Sequence, residues 1–397
     1  MNILHLFQSY LPYSEQWAFN LLKSLPEARH HIAARYYLRH DFYDPNFQFC
    51  PAPVDGLMAW DYSHDWSTWS HAWRKLMIKA VTRLSGLEMG TVTHYAQTQG
   101  VDLLHAHFAP TAWQFREVIQ RTALPLVVSF YGYDYQYQLQ RDAAYRRRYE
   151  WIFKTATLVS AEGPHGAQKL RELGCPPEKI RVIPLAGRVG TAPEASHPKE
   201  ERPVRRLLQL ASFTPKKGHI DTVKAFHRAL PQCPGLTLTL AGDERTPGTK
   251  AEVVQYIQDE GLSDHITLLD WVDYRQLPAF LGKYDLFIHP SRHSPEGDCE
   301  GGAPTVLLEA MAAGLPIVST RHCDIPFLLR GYPQARLVGE GDVAGLAGAI
   351  IAFYRGQVLD GPTLAPMHKA EGILSLGGGY GELLKPETNR ISGTETK

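Results

Sequence analysis

The sequence predicts an α/β protein made of two doubly wound, Rossmann-like domains that face each other across a cleft. A chain of 397 residues is too long for one ordinary hydrophobic core. Short apolar runs typical of buried parallel strands alternate with helical patterns in two series. A polar, Pro-rich stretch at 191–205 separates the two series and has the composition of a linker. We therefore expect a first domain over 1–190, a second over 206–355, and a tail over 356–397 that can return to the first domain.

The individual elements follow from local patterns. Apolar runs predict strands, and apolar positions at helical spacing predict helices. The predicted strands are 2–7, 103–108, 126–130, 158–162, 180–185, 207–211, 236–242, 266–272, 286–291 and the run beginning at 317. The predicted helices are 18–25, 113–119, 141–154, 164–173 and 342–354. The Gly-rich segment near 380 has only weak helical character.

Composition narrows the class of protein. Lys and Arg balance Asp and Glu, so bulk charge does not favour a nucleic-acid partner. The five cysteines are scattered, without metal-ligand spacing, which indicates a reducing compartment. The start of the chain has no basic segment before its apolar run, and no stretch has the length of a membrane span. These features predict a cytoplasmic enzyme.

The stretch 300–320 reads as a loop, a helix and a strand. Pro304 suits the first turn of a helix, where a missing N–H costs nothing. Gly314 and Pro316 are typical of a helix end. A Gly-Gly loop entering a helix leaves backbone N–H groups unpaired, and with the helix dipole these suit an anion such as a diphosphate.

Two glutamates give this anion a context. Glu309 follows Thr305 by four residues, so the two share a helix face and lie roughly 6 Å apart along the axis. A diphosphate at the first turn would leave Glu309 beside the sugar that comes next, where it can accept hydrogen bonds from the sugar hydroxyls. Glu300, which lies before the turn, would face the group on the other side of the diphosphate. The order sugar, diphosphate, ribose describes a nucleotide-sugar. The alternative is an ordinary αβ unit with Ala-rich packing.

The same stretch, with its LLEAMA-G-P helix, resembles the donor-site motif of the family 4 retaining glycosyltransferases, which have the GT-B fold. In that family the second glutamate binds the ribose hydroxyls, and the first glutamate and the backbone after it hold the transferred sugar. These positions correspond to Glu309 and Glu300, which here have eight residues between them, one more than in the family. The extra residue predicts a bulge in the loop. The further donor contacts that the resemblance implies are Gly301, Gly302, Ala303, Thr305 and Val306.

The loop after strand 207–211 resembles another part of the family's donor site. The family has an Arg there and a Lys five residues later, both neutralising the diphosphate. Lys217 takes the Lys position, and Ser212 stands where the Arg would be. The charge of Lys217 and a helix N-terminus can still bind a diphosphate, less tightly than with both cations. Lys216 either assists or is an ordinary exposed lysine.

Polar residues in the first half follow two predicted strands. His105, His107, Tyr131 and Asp134 fall near strand C-termini, where functional groups of such sheets gather. The family commonly has His-Gly-x-Asp here, with the His facing the reaction centre, and Tyr131 takes that position. A phenol can bind a sugar but is a poor base at neutral pH. A front-face retaining reaction, with the leaving phosphate as base, tolerates this change. A structural role for the histidines is the open alternative. The catalytic candidates are Glu300, Lys217, His107 and Tyr131.

The first loop, with Pro12, Ser14 and Glu15, resembles the branch of the family that acts on bacterial surface polysaccharides. Ser14, Glu15 and Asp134 are the candidates for the acceptor side, and a plain helix cap at Ser14 is the alternative. Segment 73–84 is a basic amphipathic pattern that could rest on an anionic membrane near a lipid-linked acceptor. A helix packed on its own domain is the simpler explanation of 73–84.

The resemblance implies sugar transfer from a UDP- or GDP-linked donor to a glycan or lipid-linked acceptor, with retention of configuration. It implies no cofactor or metal, and the absence of an Asp-x-Asp motif agrees. The expected place is the cytoplasm, with peripheral contact on the inner face of the membrane. Two alternatives stay open: a catalytically weak GT-B partner subunit, indicated by Ser212 and Tyr131, and a GT-B nucleotide-sugar epimerase.

Overall fold

The computed structural model describes residues 1–11, 16–37, 46–51, 87–135, 144–185, 204–357 and 376–383. The chain divides into two compact units. The first unit contains 1–161, 167–184 and 372–397, and the second contains 162–166 and 185–371. Three predicted features lie outside the described residues: the acceptor-side residues Ser14 and Glu15, the amphipathic segment 73–84, and almost all of the linker.

The first unit is built on a seven-stranded parallel sheet with strand order β3-β2-β1-β4-β5-β6-β7. Every residue of β4 and β5 is buried, as expected for strands covered on both faces. The strands are β1 Asn2–Tyr10, β2 Arg29–Tyr37, β3 Gln48–Phe49, β4 Leu103–His107, β5 Leu126–Phe130, β6 Leu158–Ala161 and β7 Ile180–Val182. The helices are α1 Gln16–Lys23, α2 Leu87–Thr98, α3 Ala109–Gln114, α4 Arg116–Thr122, α5 Gly132–Tyr135, α6 Ala144–Thr155 and α7 Pro164–Glu172, followed by a 3-10 turn at Pro177–Lys179.

The second unit repeats this plan with a six-stranded parallel sheet of order β10-β9-β8-β11-β12-β13. The strands are β8 Arg206–Leu210, β9 Thr237–Ala241, β10 Ile266–Leu269, β11 Leu286–His289, β12 Ile317–Thr320 and β13 Ala335–Val338. The helices are α8 His219–Ala229, α9 Thr249–Asp259, α10 Leu277–Leu281, α11 Val306–Ala312, α12 Ile325–Leu328 and α13 Val343–Tyr354. Three 3-10 turns lie at Pro215–Lys217, Leu230–Gln232 and Tyr274–Gln276.

In each sheet the strand order reverses at one place, between β1 and β4 in the first unit and between β8 and β11 in the second. Open parallel sheets bind ligands beyond the strand C-termini at such switch points. The register sets His5 of β1 beside His105 of β4, and His107 beside Ser129 of β5. The topology therefore carries polar side chains to the switch point of the first sheet.

The predicted loop, helix and strand at 300–320 is present with a shifted start. The helix begins at Val306, with Thr305 before it, and not at Pro304. Gly314 has φ 65° and ends the helix in the left-handed conformation that glycine adopts without strain. The strand that follows, Ile317–Thr320, is fully buried. A Cβ atom on Gly302 would overlap the Glu162 carboxylate, so a larger residue at this position would require the Glu162 side chain to move.

Two predicted helices differ in detail. The expected helix at 113–119 is two helices, α3 and α4, which meet at Phe115. The described part of the expected helix 141–154 begins at Ala144, and its buried face places the aromatic rings of Tyr149 and Phe153 in the core.

The Gly-rich tail contains a helix, α14 Leu376–Leu383, that packs in the first unit. The Tyr380 ring is 1% exposed, and its hydroxyl lies 2.5 Å from Nδ1 of His105. The tail thus contributes a side chain to the polar core of the first unit. Among the described helices, none is long and apolar enough to cross a membrane.

Candidate functional site

The polar centre of the second unit is an ion pair between two of the predicted catalytic residues. Lys217 lies in the turn after β8, and Glu300 lies in the loop after β11, on the two sides of the switch point. Nζ of Lys217 is 2.7 Å from Oε2 of Glu300. The two side chains are only 16% and 7% exposed, so water screens the pair weakly.

A short relay holds the other carboxylate oxygen. The Ser291 hydroxyl donates to Oε1 of Glu300 at 2.8 Å and accepts from Nδ1 of His289 at 2.9 Å. Burial raises the pKa of Glu300, but Lys217 and the other nearby cationic groups outweigh it and lower that pKa to about 2. Burial also lowers the pKa of His289 to about 3. Glu300 is therefore an ionised hydrogen-bond acceptor beside a neutral imidazole, and it is not a proton donor at neutral pH.

Lys216 has a separate role beside this pair. Its Nζ contacts the Asp298 carboxylate at 3.1 Å and donates to the carbonyl of Cys299 at 3.1 Å. Lys216 thereby fastens the segment immediately before Glu300. Both adjacent lysines are thus engaged with the same loop, one through a carboxylate of the predicted site and one through the residues before it.

The helix half of the predicted donor site carries Glu309. This residue is half-buried on α11, and its Oε1 accepts from the Tyr274 hydroxyl at 2.8 Å. The amide of Ala303 donates to Oε2 of Glu162 at 3.3 Å, a contact that has no signal in the sequence. The Glu162 carboxylate therefore accepts a hydrogen bond from one of the backbone N–H groups that were expected to face an anion.

The rest of the predicted donor set lies in the same loops of the second unit. Gly301 has φ 75°, so the chain turns sharply directly after Glu300 in a conformation that glycine adopts readily. Gly301 and Gly302 are buried, whereas Ser212, Ala303, Thr305 and Val306 are half-buried. The set thus lies in the loops after β8 and β11 and at the start of α11, and its role in donor binding stays a prediction.

The fold brings together two cysteines that are far apart in the sequence. Sγ of Cys323 lies 3.4 Å from Sγ of Cys299, the residue before Glu300. Nε2 of His322 is 3.3 Å from Sγ of Cys323, and Nδ1 is 2.7 Å from Oε1 of Glu340. The five cysteines are scattered along the sequence, and their spacing gives no sign of this pair.

The polar centre of the first unit is a line of buried rings that ends at Tyr131. The Tyr131 hydroxyl is 3.0 Å from Nδ1 of His107, whose Nε2 is 3.1 Å from Nδ1 of His5. Nε2 of His5 is 3.1 Å from Nδ1 of His30, whose Nε2 is 3.0 Å from the carbonyl of Leu25. The structure therefore joins two predicted catalytic residues, His107 and Tyr131, and adds two histidines that the sequence did not single out.

The hydrogen bonds along this line have one direction. A carbonyl can only accept, so Nε2 of His30 carries a proton toward Leu25. Burial lowers the pKa of His5 and of His107 well below the ordinary value, which keeps these rings neutral. With His30 also in its neutral form, each histidine donates through Nε2 and accepts through Nδ1. The Tyr131 hydroxyl consequently donates a hydrogen bond to Nδ1 of His107.

His105 belongs to a second branch. Its Nδ1 faces Tyr380, and its Nε2 is 2.7 Å from the Ser129 hydroxyl, which is 2.6 Å from that of Ser160. Burial lowers the pKa of His105 to about 3. Both ring nitrogens have protein partners, so His105 has the structural role that the sequence left open.

Asp134 holds two elements of the first unit together. It is completely buried, and its two oxygens accept from the amides of Ala109 and Tyr131 at 3.1 and 2.8 Å. Burial raises the pKa of Asp134 to about 8, although the two amide hydrogen bonds oppose the shift. This carboxyl group therefore fastens the end of β5 to the start of α3, whereas its acceptor-side role stays a prediction.

These two sheets and their switch points define the class of fold, which is GT-B: two parallel-sheet, Rossmann-like domains. Anabaena HepE in complex with UDP has a TM-score of 0.62 to this chain at 18% identity, covering 88% of this chain and 89% of its own. WaaG, a glycosyltransferase involved in lipopolysaccharide biosynthesis, has a TM-score of 0.56 at 14% identity, covering 89% and 90%.

Sequence comparisons identify the family. Residues 17–186 match the model of a glycosyl transferase 4-like domain, and residues 204–355 match that of glycosyl transferases group 1. The chain therefore belongs to the glycosyltransferase family, with one matched domain in each half.

Two curated relatives illustrate the similarity. The amylovoran biosynthesis glycosyltransferase AmsK of Erwinia amylovora is 32% identical over 54% of this chain and 51% of its own length. The putative colanic acid biosynthesis glycosyltransferase WcaL of Escherichia coli K12 is 31% identical over 68% of this chain and 64% of its own length. The chain thus spans between about half and two thirds of these relatives.

Proposed function

We propose that this protein transfers a sugar from a UDP- or GDP-linked donor to a glycan or lipid-linked acceptor, with retention of configuration, in polysaccharide biosynthesis. The observation that carries the proposal is the buried Lys217–Glu300 pair at the switch point of the second sheet, followed by Glu309 on α11. The names of the relatives AmsK and WcaL support the polysaccharide context.

The donor is held by charge on one side and by hydroxyl contacts on the other. Lys217 supplies the cation for the diphosphate, exchanging part of its contact with Glu300 for the phosphate oxygens. Glu309 accepts hydrogen bonds from the ribose hydroxyls through its carboxylate, which Tyr274 orients. The missing second cation at Ser212 predicts moderate affinity for the nucleotide alone.

The chemistry assigned to Glu300 follows from its charge. With a pKa of about 2, it accepts hydrogen bonds from hydroxyls of the transferred sugar and does not protonate the leaving group. In a front-face reaction the acceptor oxygen bonds to the anomeric carbon as the bond to the diphosphate breaks. The acceptor proton passes to the leaving phosphate oxygen, and Lys217 stabilises the charge that develops there.

Tyr131 and His107 are proposed as sugar-binding groups. The neutral His107 fixes the orientation of the phenol by accepting a hydrogen bond from its hydroxyl. The Tyr131 oxygen can then accept a hydrogen bond from a sugar hydroxyl. This assignment gives the first unit a positioning role, because neither a neutral phenol nor a buried neutral histidine is a strong base here.

A donor screen followed by product analysis tests the proposal. Thermal shift across UDP-, GDP- and ADP-sugars should show stabilisation by a UDP- or GDP-sugar. NMR of the product formed with a lipid-linked oligosaccharide should show the anomeric configuration of the donor. Binding of none of these donors, or an inverted product, would contradict the proposal.

A catalytically weak partner subunit is the second candidate, favoured by Ser212 and Tyr131 at two family positions. Tight donor binding without turnover, and activity only after addition of a second chain, would support it. The epimerase alternative predicts release of free nucleotide without transfer to an acceptor.

We also propose a cytoplasmic location with peripheral membrane contact through 73–84. Co-sedimentation with vesicles containing anionic lipid, and loss of it when the basic residues of this segment are replaced, is the expected result.

A further inference from the structure

The cluster of Cys299, Cys323 and His322 has the chemistry of a metal site. The two sulfurs are 3.4 Å apart, and Nε2 of His322 is 3.3 Å from the Cys323 sulfur. All three ligand atoms lie within 4.8 Å of one another. Ligands of a tetrahedral zinc ion, with bonds of about 2.0–2.3 Å, stand roughly 3.5–3.8 Å apart. A small outward movement of the side chains would therefore admit the ion.

Two hydrogen bonds orient the histidine for this purpose. Nδ1 of His322 is 2.7 Å from the Glu340 carboxylate, which can only accept, so Nδ1 carries the proton. Nε2 accepts from the amide of Glu300 at 3.1 Å, so it is the unprotonated nitrogen, and its lone pair becomes available to a metal when this hydrogen bond is released. A carboxylate behind a ligating histidine is the usual second layer of a zinc site, where it fixes the ring and increases its basicity.

We propose that Cys299, Cys323 and His322 bind one zinc ion, with Glu340 orienting His322. Two thiolates and an imidazole favour zinc over the harder magnesium and calcium ions. The described residues supply three ligands, and water completes a tetrahedral set. The ion would take over the Nε2 lone pair that the Glu300 amide now uses.

The position of the site indicates what the ion does. Cys299 immediately precedes Glu300, and Cys323 follows β12, so the ion links two loops of the second unit. Cys323 has φ 45°, an uncommon conformation for a residue other than glycine, which the link would help to hold. Zinc binding here does not depend on the proposed sugar transfer.

Metal analysis of the full chain tests the proposal. The purified protein should contain one zinc per chain by inductively coupled plasma mass spectrometry. After removal of zinc, Co²⁺ should bind with one-to-one stoichiometry and give a sulfur-to-cobalt charge-transfer band in the near ultraviolet.

Variants make the assignment specific. Cys299→Ala and Cys323→Gly should lose the metal and the band, and glycine at 323 accommodates the positive φ, which favours folding. Glu340→Ala should weaken Co²⁺ binding about 10- to 100-fold. Cys233→Ala, which removes a buried thiol elsewhere in the same unit, should bind as the wild type does. Circular dichroism reports whether each variant folds.

Three results would overturn the proposal. They are wild-type protein that binds neither zinc nor Co²⁺, unchanged metal binding in the folded Cys299→Ala and Cys323→Gly variants, and a Cys299–Cys323 disulfide in protein purified without an oxidant.

Discussion

The two units share one topology and differ in the electrostatics of their polar centres. In the first unit, a line of buried histidines extends by hydrogen bonds from Tyr131 through His107 and His5 to His30. In the second, a buried ion pair joins Lys217 and Glu300. Neutral rings suit the hydroxyls of an uncharged sugar, and a fixed cation suits a diphosphate. The same sheet plan can therefore serve two different parts of one proposed reaction.

The largest effect is expected from breaking the Lys217–Glu300 ion pair of the second unit. Lys217→Met removes the proposed diphosphate cation and leaves the Glu300 charge without its main partner. Turnover should fall about 10²- to 10³-fold, the usual loss for a group that stabilises developing charge. Steady-state kinetics measures this. The exposed Lys283→Met is the matched control and should retain wild-type turnover.

The stability that the buried histidines of the first unit contribute should depend on pH. His5 and His107 have folded-state pKa values below the unfolded value, so the unfolded chain binds more protons below about pH 6.5. Their stability contribution is therefore complete above that pH and decreases as pH falls, by up to about 1.4 kcal/mol per unit for each ring.

Amide hydrogen exchange in β1 and β4 between pH 7.5 and 5, corrected for the intrinsic rate, measures this loss. His5→Gln should flatten the dependence, whereas His94→Gln, at an exposed position on α2, should not. If the pH dependence of exchange were unchanged in His5→Gln, the buried histidines would not be the source of that dependence.

A smaller effect is expected at Tyr131, where the line of buried rings in the first unit ends. Tyr131→Phe leaves Nδ1 of His107 buried without its donor, which costs about 1–3 kcal/mol. Turnover should fall while nucleotide affinity stays unchanged, because the phenol belongs to the first unit and the proposed nucleotide site to the second. Tyr133→Phe, whose side chain is 49% exposed, is the control. A fall in nucleotide affinity would contradict the division of roles between the units.

The smallest effect concerns the tail. Tyr380→Phe loses the contact with His105 and should weaken packing of α14 by about 1 kcal/mol. Faster exchange of the 376–383 amides would show it. Equal protection in both proteins would mean that packing of the ring, and not its hydroxyl, holds the helix.

Much of the framework was predictable from the sequence because central parallel strands are continuous apolar runs. The predicted strand 126–130 has the observed bounds, and helix 342–354 differs by one residue at its start. The motif around Lys217 and Glu300 singled them out as candidate site residues, and that role stays a prediction. Their contact with each other was not predictable, since 83 positions separate them in the chain.

The features that escaped prediction depend on tertiary contacts. Strand β2 begins with polar residues, and the burial of one of them, His30, is explained only by the histidine network. The glycines of α14 lower its helical propensity, and burial of Tyr380 compensates. Cys299 and Cys323 meet because the loops after β11 and β12 lie side by side. A single sequence contains no periodic signal for such contacts.

The most direct test of the central claim is nucleotide affinity in Glu309→Ala, measured by calorimetry with UDP and GDP. If Glu309 binds the ribose, loss of its charge-assisted hydrogen bonds should weaken binding about 10- to 100-fold. Tyr274→Phe, which keeps the carboxylate, should have a smaller effect. A Glu309→Ala variant with full nucleotide affinity and full transfer activity would contradict the assignment of this loop and helix as the donor site.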